Sequence, residues 1–483
     1  MEAKENTAAP VIKKSIGWRM FDFLSKINTQ AVAVVVISLL SAQVLFGIFE
    51  KAWSSEDLIA LYYGKTVLIR FLGFIGFLNW SIDFFCKAYI HRKNAWLWTF
   101  IKRPWTGLLA LLLVWSLTAI VYASDRDLAF FGGPFRYEGF LSYLAYAGIF
   151  VNASLIRGEK ERKIVFAVTT VVSTLLAALT LIRETIGSSV FLVRGIQFMS
   201  YSSTFVNPNH YGYYLCVSMA VIAGLFMMSK KLWGKIVCGL CFTLNAAVLL
   251  LNGSLGPYIA AALGLLLLFA FYLIRGGFKN AWPALIPIII LVGLSLVLKE
   301  RQMLKDLSSF IKQTSEVIEI AIPGEAISSE QESLIDHYGS TRGRLWKQTI
   351  EVIKGNPVIG VGTDNIHLYI GNALPHSEFL QIAANMGIPA LVVYMAALIS
   401  CFVYVIKNLK KFSDGALFAG IAMFVYCVSG FVGITIPVTT YQLFLFWGML
   451  TGWVRHRDYS TMSERMLAEL NRKREELEAA AAE

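Results

Sequence analysis

The chain has 483 residues, of which 56% are hydrophobic and 16% are charged, and its mean hydropathy is +0.60. This composition excludes an ordinary soluble globular domain. The formal net charge of +11 could indicate a nucleic-acid partner, but membrane topology explains the distribution of basic residues and no nucleic acid is expected.

Apolar runs long enough to cross a bilayer recur along nearly the whole chain. Backbone amides in hydrocarbon need partners within their own segment, so these runs are predicted to be helices. We expect an all-α integral membrane protein with about 12 transmembrane helices and one large external loop between spans 9 and 10. The predicted spans are 31–49, 67–88, 105–122, 139–156, 164–182, 211–228, 236–251, 257–274, 281–298, 388–406, 415–431 and 441–454.

The lysines and arginines indicate which side of the membrane each loop faces. About two thirds of the 43 lie in the N-terminus, the even-numbered loops and the C-terminal tail, and such residues are retained in the cytoplasm. Both termini are therefore expected inside, with the long loop outside. The predicted parts are a basic amphipathic cytoplasmic segment (1–30), spans 1–9 (31–298), a large extracytoplasmic loop with catalytic helices (299–387), spans 10–12 (388–454) and a charged helical tail (455–483).

Several polar residues precede the long loop. Arg70, in the second span, either extends to the external headgroups or faces an external cavity and an anion. Arg136 lies between glycines and aromatic residues near the membrane surface and is a candidate site residue. The next external loop contains Arg194 and leads through the Asn207-Pro208 turn to Asn209. This loop fits either a cavity lining or an aromatic interface anchor.

No cofactor is expected. The sequence has no glycine-rich phosphate loop, no nucleotide-binding glycine triad and no zinc motif. Asp125 and Asp127 flank one residue, a spacing that holds a divalent metal in some sugar-transfer enzymes but is also common in solvated loops. We therefore predict no metal site.

The stretch 340–387 holds two arginines, two histidines and three acidic residues in a chain that is otherwise mostly apolar. A helix is expected over 345–354, ending at Gly355-Asn356-Pro357. Arg342 and Arg344 would then lie beside its free N–H groups, an arrangement that suits a phosphate or diphosphate. Lipid headgroups or acidic residues of the loop are the alternative partners.

Pro375 fits the first turn of the next helix, with His376 close behind it. A helix N-terminus disfavours the imidazolium, so a neutral His376 could accept a proton from a hydroxyl. The alternative is a surface histidine at a helix start. Glu378 is a secondary candidate, and His367 ranks below it because its surroundings are less defined.

Three short motifs follow one another in the long loop: Arg342-Gly-Arg-Leu-Trp346, then Pro357-Val-Ile-Gly360-Val-Gly362, then His376 separated by ten residues from Gly387. In their order, spacing and shared external side they resemble the O-antigen ligase and polymerase family of bacterial membrane glycosyltransferases. The Asn207-Pro208-Asn209 turn and the twelve-span layout agree with this resemblance.

The resemblance implies an enzyme of the bacterial inner (plasma) membrane that acts in cell-surface polysaccharide biosynthesis. It would transfer or polymerise a glycan from an undecaprenyl diphosphate carrier onto a hydroxyl of a glycan or lipid-linked acceptor, among membrane lipids and on the external face. The family's catalytic loop arginine and histidine map to Arg342 and His376. Candidates for binding the donor diphosphate are Arg342, Arg344, Arg194, Arg136 and Arg70, and Asn209 is a secondary site residue.

One departure from the family pattern concerns the start of the eighth span. Family members often carry an arginine there, whereas this chain has Ser254-Leu255-Gly256. Arg136, Arg194 or Arg70 would have to supply that charge, unless the donor is held differently.

Two other functions are compatible with a polytopic chain. One is a transporter or flippase of lipid-linked saccharides, and the other is a non-catalytic scaffold of a glycan assembly complex. Transporters often carry polar or broken helices at mid-bilayer. Here the span centres are nearly free of charge and the polar groups gather in one external loop, which favours the enzyme.

Overall fold

A computed structural model describes residues 23–46, 55–91, 102–134, 136–186, 201–205, 207–321, 329–371 and 373–480. These residues form helices and connecting loops, without a β-strand among them. The helices are α1 (Thr29–Ala42), α2 (Ser55–His91), α3 (Pro104–Val121), α4 (Arg126–Phe131), α5 (Phe140–Ala153), α6 (Glu159–Ile186), α7 (Pro208–Met228), α8 (Leu232–Asn252), α9 (Leu255–Gly276), α10 (Phe278–Ala281), α11 (Leu285–Val297), α12 (Gln302–Ala321), α13 (Ser329–Gly355), α14 (Glu378–Lys407), α15 (Asp414–Gly430) and α16 (Pro437–Ala480). Short 3-10 helices are Gln43–Leu45, Ser203–Phe205, Trp282–Ala284, Leu298–Arg301, Ile366–Leu368 and Leu409–Lys411.

Within the described ranges, 8 helical stretches are long and apolar enough to cross a membrane. They are Ile59–Cys86, Pro104–Val121, Glu159–Thr185, Pro208–Met228, Leu232–Asn252, Leu255–Gly276, Phe278–Val297 and Glu378–Lys407. Shorter apolar helices cover Thr29–Leu45, Phe140–Ala153 and Asp414–Gly430. The all-helical membrane architecture is thus confirmed, whereas the count of twelve spans and the position and sidedness of the long loop stay predictions. Most of the predicted basic segment, residues 1–22, lies outside the described residues.

Helix α7 is the centre of the bundle, since 89% of its most apolar stretch lies buried inside the protein. It packs against α6, α8, α9, α15 and α16. A helix that is apolar on all sides needs such cover from other helices. By contrast α3 leaves Leu111, Val114 and Val121 exposed, as expected for side chains that contact lipid.

Helix α13 is folded back on itself at Gly339, which has a φ of +58°. Lys347 Nζ lies 3.1 Å from Glu332 Oε1 and 3.0 Å from Asp336 Oδ1. A straight helix would separate residues 11 and 15 positions apart by about 16 and 22 Å along its axis. The segments before and after Gly339 therefore lie side by side. The predicted helix end at Gly355 is confirmed, but the helical region begins at Ser329, well before residue 345.

Helix α14 is broken at Gly387, which has a φ of +87°. The glycine-containing turn 357–362 lies in this break. The Val361 amide donates to the Ala384 carbonyl over 2.9 Å, and the Ile388 amide donates to the Pro357 carbonyl over 2.8 Å. The turn thus supplies partners for backbone groups that a continuous helix would have paired internally.

Candidate functional site

A cleft of about 750 Å³ opens where α7, α9, α12, α13 and α15 meet. It lies at the start of α7, the start of α9 and the end of α15, so it occupies one end of the helical bundle. Its lining includes Asn209, Tyr213, Leu255, Gln313, His337 and Arg342. This volume is within the range of about 300–1,000 Å³ typical of small-molecule sites.

Arg342 is a partly buried residue of the cleft wall, three positions after the bend at Gly339. Its Nη1 donates to the Gly339 carbonyl over 3.3 Å, so the guanidinium is tied to the bend. Arg344 is exposed and is not among the residues that line the cleft. The expectation that both arginines precede a helix at residue 345 is wrong, because both lie inside α13 and only Arg342 reaches the cleft.

His376 lies in the bend before α14 and has a φ of +47°. The helix begins at Glu378 with Ser377 as its N-cap, so the prediction that Pro375 forms the first helical turn is wrong by three residues. Burial lowers the pKa of His376 to about 4, and the nearby Arg342 lowers it as well. The imidazole is therefore neutral at pH 7, but burial rather than a helix N-terminus is the main cause.

Trp346 connects α13 to the loop that carries His376. Its Nε1 donates to the Pro375 carbonyl over 2.7 Å. This bond fixes the residue before His376 to the helix that carries Arg342. The structure therefore places Arg342 and His376, which are 34 residues apart in the sequence, near enough for the charge of one to act on the other, although His376 is not among the residues that line the cleft.

Asn209 and Tyr213 lie one helical turn apart at the start of α7, and both line the cleft. The Asn207 side chain caps this helix by accepting from the Asn209 amide over 2.8 Å. The Tyr213 hydroxyl donates to the Val432 carbonyl over 2.8 Å. Sequence reasoning missed Tyr213, although its i, i+4 spacing from Asn209 was visible.

Glu378 is buried behind the cleft and does not line it. Its Oε1 accepts a hydrogen bond from the Tyr394 hydroxyl. It also lines a small cavity together with Tyr213 and Tyr426. Tyr213 therefore separates this carboxyl group from the open cleft.

Arg70 points into the protein and does not extend to the headgroups. Its Nη2 donates to the Phe131 carbonyl over 2.6 Å, to the Tyr137 carbonyl over 2.9 Å and to Ser142 Oγ over 3.0 Å. The guanidinium thus holds the loop between α4 and α5. These contacts indicate a structural role for Arg70.

Arg136 lies near Asp364, in a second polar group that is separate from the cleft lining. Asp364 Oδ2 accepts from the Gly133 amide over 2.7 Å and from the Glu138 amide over 3.3 Å. Burial raises the pKa of Asp364 to about 6. The hydrogen bonds from the two amides and the positive charges of Arg136 and Arg70 act in the opposite direction and lower it. Burial likewise raises the pKa of Glu138 well above its usual range.

The structure does not bring Arg70 or Arg136 to the cleft beside Leu255. Arg194 lies outside the described residues. Asp125 caps α4, its Oδ1 accepting from the Leu128 amide over 3.0 Å. In the described part of the chain, no group of three or more His, Cys, Asp or Glu side chains is arranged to hold a metal ion.

One protein family matches part of the chain. No curated protein matches the chain at a significant level. Residues 240–395, which run from α8 into α14 and include Leu255, Arg342 and His376, match a protein family. Together with the apolar helices, this match supports a multi-pass membrane enzyme that processes glycans. The resemblance seen in the sequence is therefore confirmed over residues 240–395, which match the O-antigen ligase family.

Proposed function

We propose that the chain is a lipid-carrier-dependent glycosyltransferase of the ligase or polymerase type. It transfers a glycan from an undecaprenyl diphosphate carrier to an acceptor sugar hydroxyl at the external face of the bacterial inner membrane, with both termini in the cytoplasm. The observation that carries this proposal is the proximity of a cleft-lining arginine, Arg342, to a neutral, partly buried imidazole, His376.

The position of the cleft suits a lipid-linked donor. Its walls include the first residues of α7 and α9 and the residues just after α15, all of which are ends of apolar helices. A headgroup in the cleft could therefore remain attached to a chain in the hydrocarbon. A soluble nucleotide-sugar enzyme would have no need of such a position.

The chemistry assigns one role to each side chain. Arg342 binds the diphosphate oxygens and stabilises the negative charge that grows on the leaving group. His376 takes the proton of the acceptor hydroxyl as that oxygen forms a bond to the anomeric carbon. The bond between the anomeric carbon and the phosphate oxygen breaks, and its electron pair leaves with the polyprenyl diphosphate. The pKa of about 4 keeps His376 able to accept the proton at neutral pH.

The test is glycan transfer by purified protein in proteoliposomes that contain lipid-linked glycan. Arg342→Ala and His376→Ala are expected to abolish transfer while membrane abundance stays at the wild-type level. Lys354→Ala is the control, since its side chain is 66% exposed and pairs only with Glu351 among the described contacts. Full activity in both test variants would refute the proposal. Accumulation of lipid-linked glycan in the inner leaflet of cells lacking the protein would instead indicate a transporter.

A further inference from the structure

One face of helix α12 forms a wall of the cleft. Asp306, Ser309, Phe310 and Gln313 all line it. Their spacing of i, i+3, i+4 and i+7 places them on a single face of the helix. This face is polar except for Phe310, although α12 follows the most apolar part of the chain closely. Neither the proposed transfer step nor the family match assigns it a role.

The α12 face is held in place against α13. The Phe310 and Tyr338 rings lie 5.8 Å apart, and the Tyr338 hydroxyl is 3.0 Å from Thr314 Oγ1. The side-chain Nε2 of Gln302 donates to Asp306 Oδ1 over 2.7 Å, which orients that carboxylate. Phe310 and Asp306 therefore have a defined arrangement before any ligand enters the cleft.

His337 adds a further polar group to the same cleft, from the segment of α13 before the bend. Its Nδ1 lies 2.8 Å from the Ser333 carbonyl, which can only accept a hydrogen bond, so Nδ1 is the donor. In the neutral ring, Nε2 is then an acceptor. A hydroxyl group is the simplest ligand that can satisfy it.

These groups match a saccharide better than a phosphate. A carboxylate, an amide and an imidazole acceptor pair well with sugar hydroxyls, which both donate and accept. The flat ring of Phe310 offers an apolar surface to the C–H face of a sugar ring. The Asp306 carboxylate on α12 would repel a diphosphate, whereas Arg342 on α13 would attract it. The cleft lining thus offers a cationic group on α13 and hydroxyl-binding groups on α12.

We propose that the Asp306, Ser309, Phe310 and Gln313 face of α12 is a saccharide-binding subsite that selects the sugar while Arg342 holds the diphosphate. This inference rests on the proposed function and adds to it the element that recognises the glycan. Changes on this face are therefore expected to alter which glycan is used without removing the transfer chemistry.

The test measures binding of two probes to protein in nanodiscs: lipid-linked glycan isolated from cells that make the protein, and undecaprenyl diphosphate without sugar. Asp306→Ala and Gln313→Ala are expected to weaken binding of the glycan-bearing probe about tenfold or more, without weakening binding of the bare diphosphate. Arg342→Ala should weaken both. Lys312→Ala is the matched control, because its side chain is 81% exposed on the same helix and does not line the cleft. Equal melting temperatures check that the variants are folded.

A second measurement separates donor sugar from acceptor sugar. If the α12 variants bind the donor normally but raise KM for the acceptor without changing kcat, the subsite holds the acceptor saccharide and the inference stands. If neither donor binding nor acceptor KM changes, the inference is overturned. An equal loss for the bare diphosphate also overturns it, because the face would then bind the carrier. Failure of Arg342→Ala to weaken either probe would refute the proposed function instead.

Discussion

Replacement of Arg342 by glutamine is expected to raise the pKa of the His376 imidazole. Burial is the larger cause of the depressed pKa of about 4, and the Arg342 charge is the second. The difference from the ordinary value of 6.5 corresponds to about 3 kcal/mol against the imidazolium. Because burial persists in Arg342→Gln, the pKa should rise and still remain below 6.5.

The sign of the pH dependence follows from the depressed pKa. The folded protein favours neutral His376, so this contribution to stability is fully present above about pH 6.5 and is lost as the pH falls through about 4. The acid limb of kcat/KM for transfer should likewise have its midpoint near pH 4 in the wild type, because only the neutral ring accepts a proton. In Arg342→Gln the acid limb of any residual transfer should have its midpoint at a higher pH, because His376 is protonated at a higher pH.

The assay is a pH titration by NMR of histidine-labelled protein in nanodiscs. The chain has 6 histidines, so the signal of His376 is assigned by its absence from His376→Ala. Arg342→Lys is the control, since it keeps the positive charge and should leave the pKa low. A wild-type pKa near 6.5, or equal values in Arg342→Gln and the wild type, would refute the reasoning.

Three further predictions concern the glycine break, the buried acid and the missing arginine. Gly387→Ala should lower the free energy of unfolding by about 2 kcal/mol or more, because a Cβ at a φ of +87° would collide with the Val358 carbonyl. The control is Gly355→Ala, whose Cβ would meet open space and whose thermal unfolding temperature should change little. Asp364→Asn should be more stable than the wild type at pH 8 by about 3 kcal/mol and equal to it near pH 4, because stability tied to the raised pKa of about 6 is present at low pH and lost as the pH rises through 6. A less stable variant at pH 8 would contradict this account. Leu255→Arg should bind bare undecaprenyl diphosphate about tenfold more tightly than Leu255→Met, and equal affinities would show that position 255 does not face the diphosphate.

The membrane helices could be predicted because hydrocarbon imposes one solution on apolar runs of sufficient length. The arrangement of the long loop (299–387) could not be predicted. Residues 328–340 show no clear apolar period, which predicts a mobile segment, yet 329–338 are helical. They pack against the second part of α13 because the chain reverses at Gly339, a tertiary contact that leaves no periodic pattern.

The candidate site was predictable only in part. The motifs single out Arg342 and His376, but the contact between Trp346 and the Pro375 carbonyl, which joins their segments, has no local signal. The contact between Glu138 and Asp364 spans 226 residues and is equally invisible in the sequence. Such pairings depend on the packing of the whole bundle. Sequence patterns can therefore identify candidate side chains but cannot predict which of them are in contact.

The walls of the cleft have a consequence for the biogenesis of the protein. They extend along the chain from Asn209 to Val432, so nearly half of the polypeptide must be made between the first wall and the last. At a synthesis rate of about 10 residues per second, this interval is roughly 20 s. Until α15 has entered the membrane the cleft lacks one side, even though Arg342 and His376 are already present. A partly inserted chain therefore lacks one wall of the cleft, and under the proposed function it transfers glycan only after the final helices are inserted.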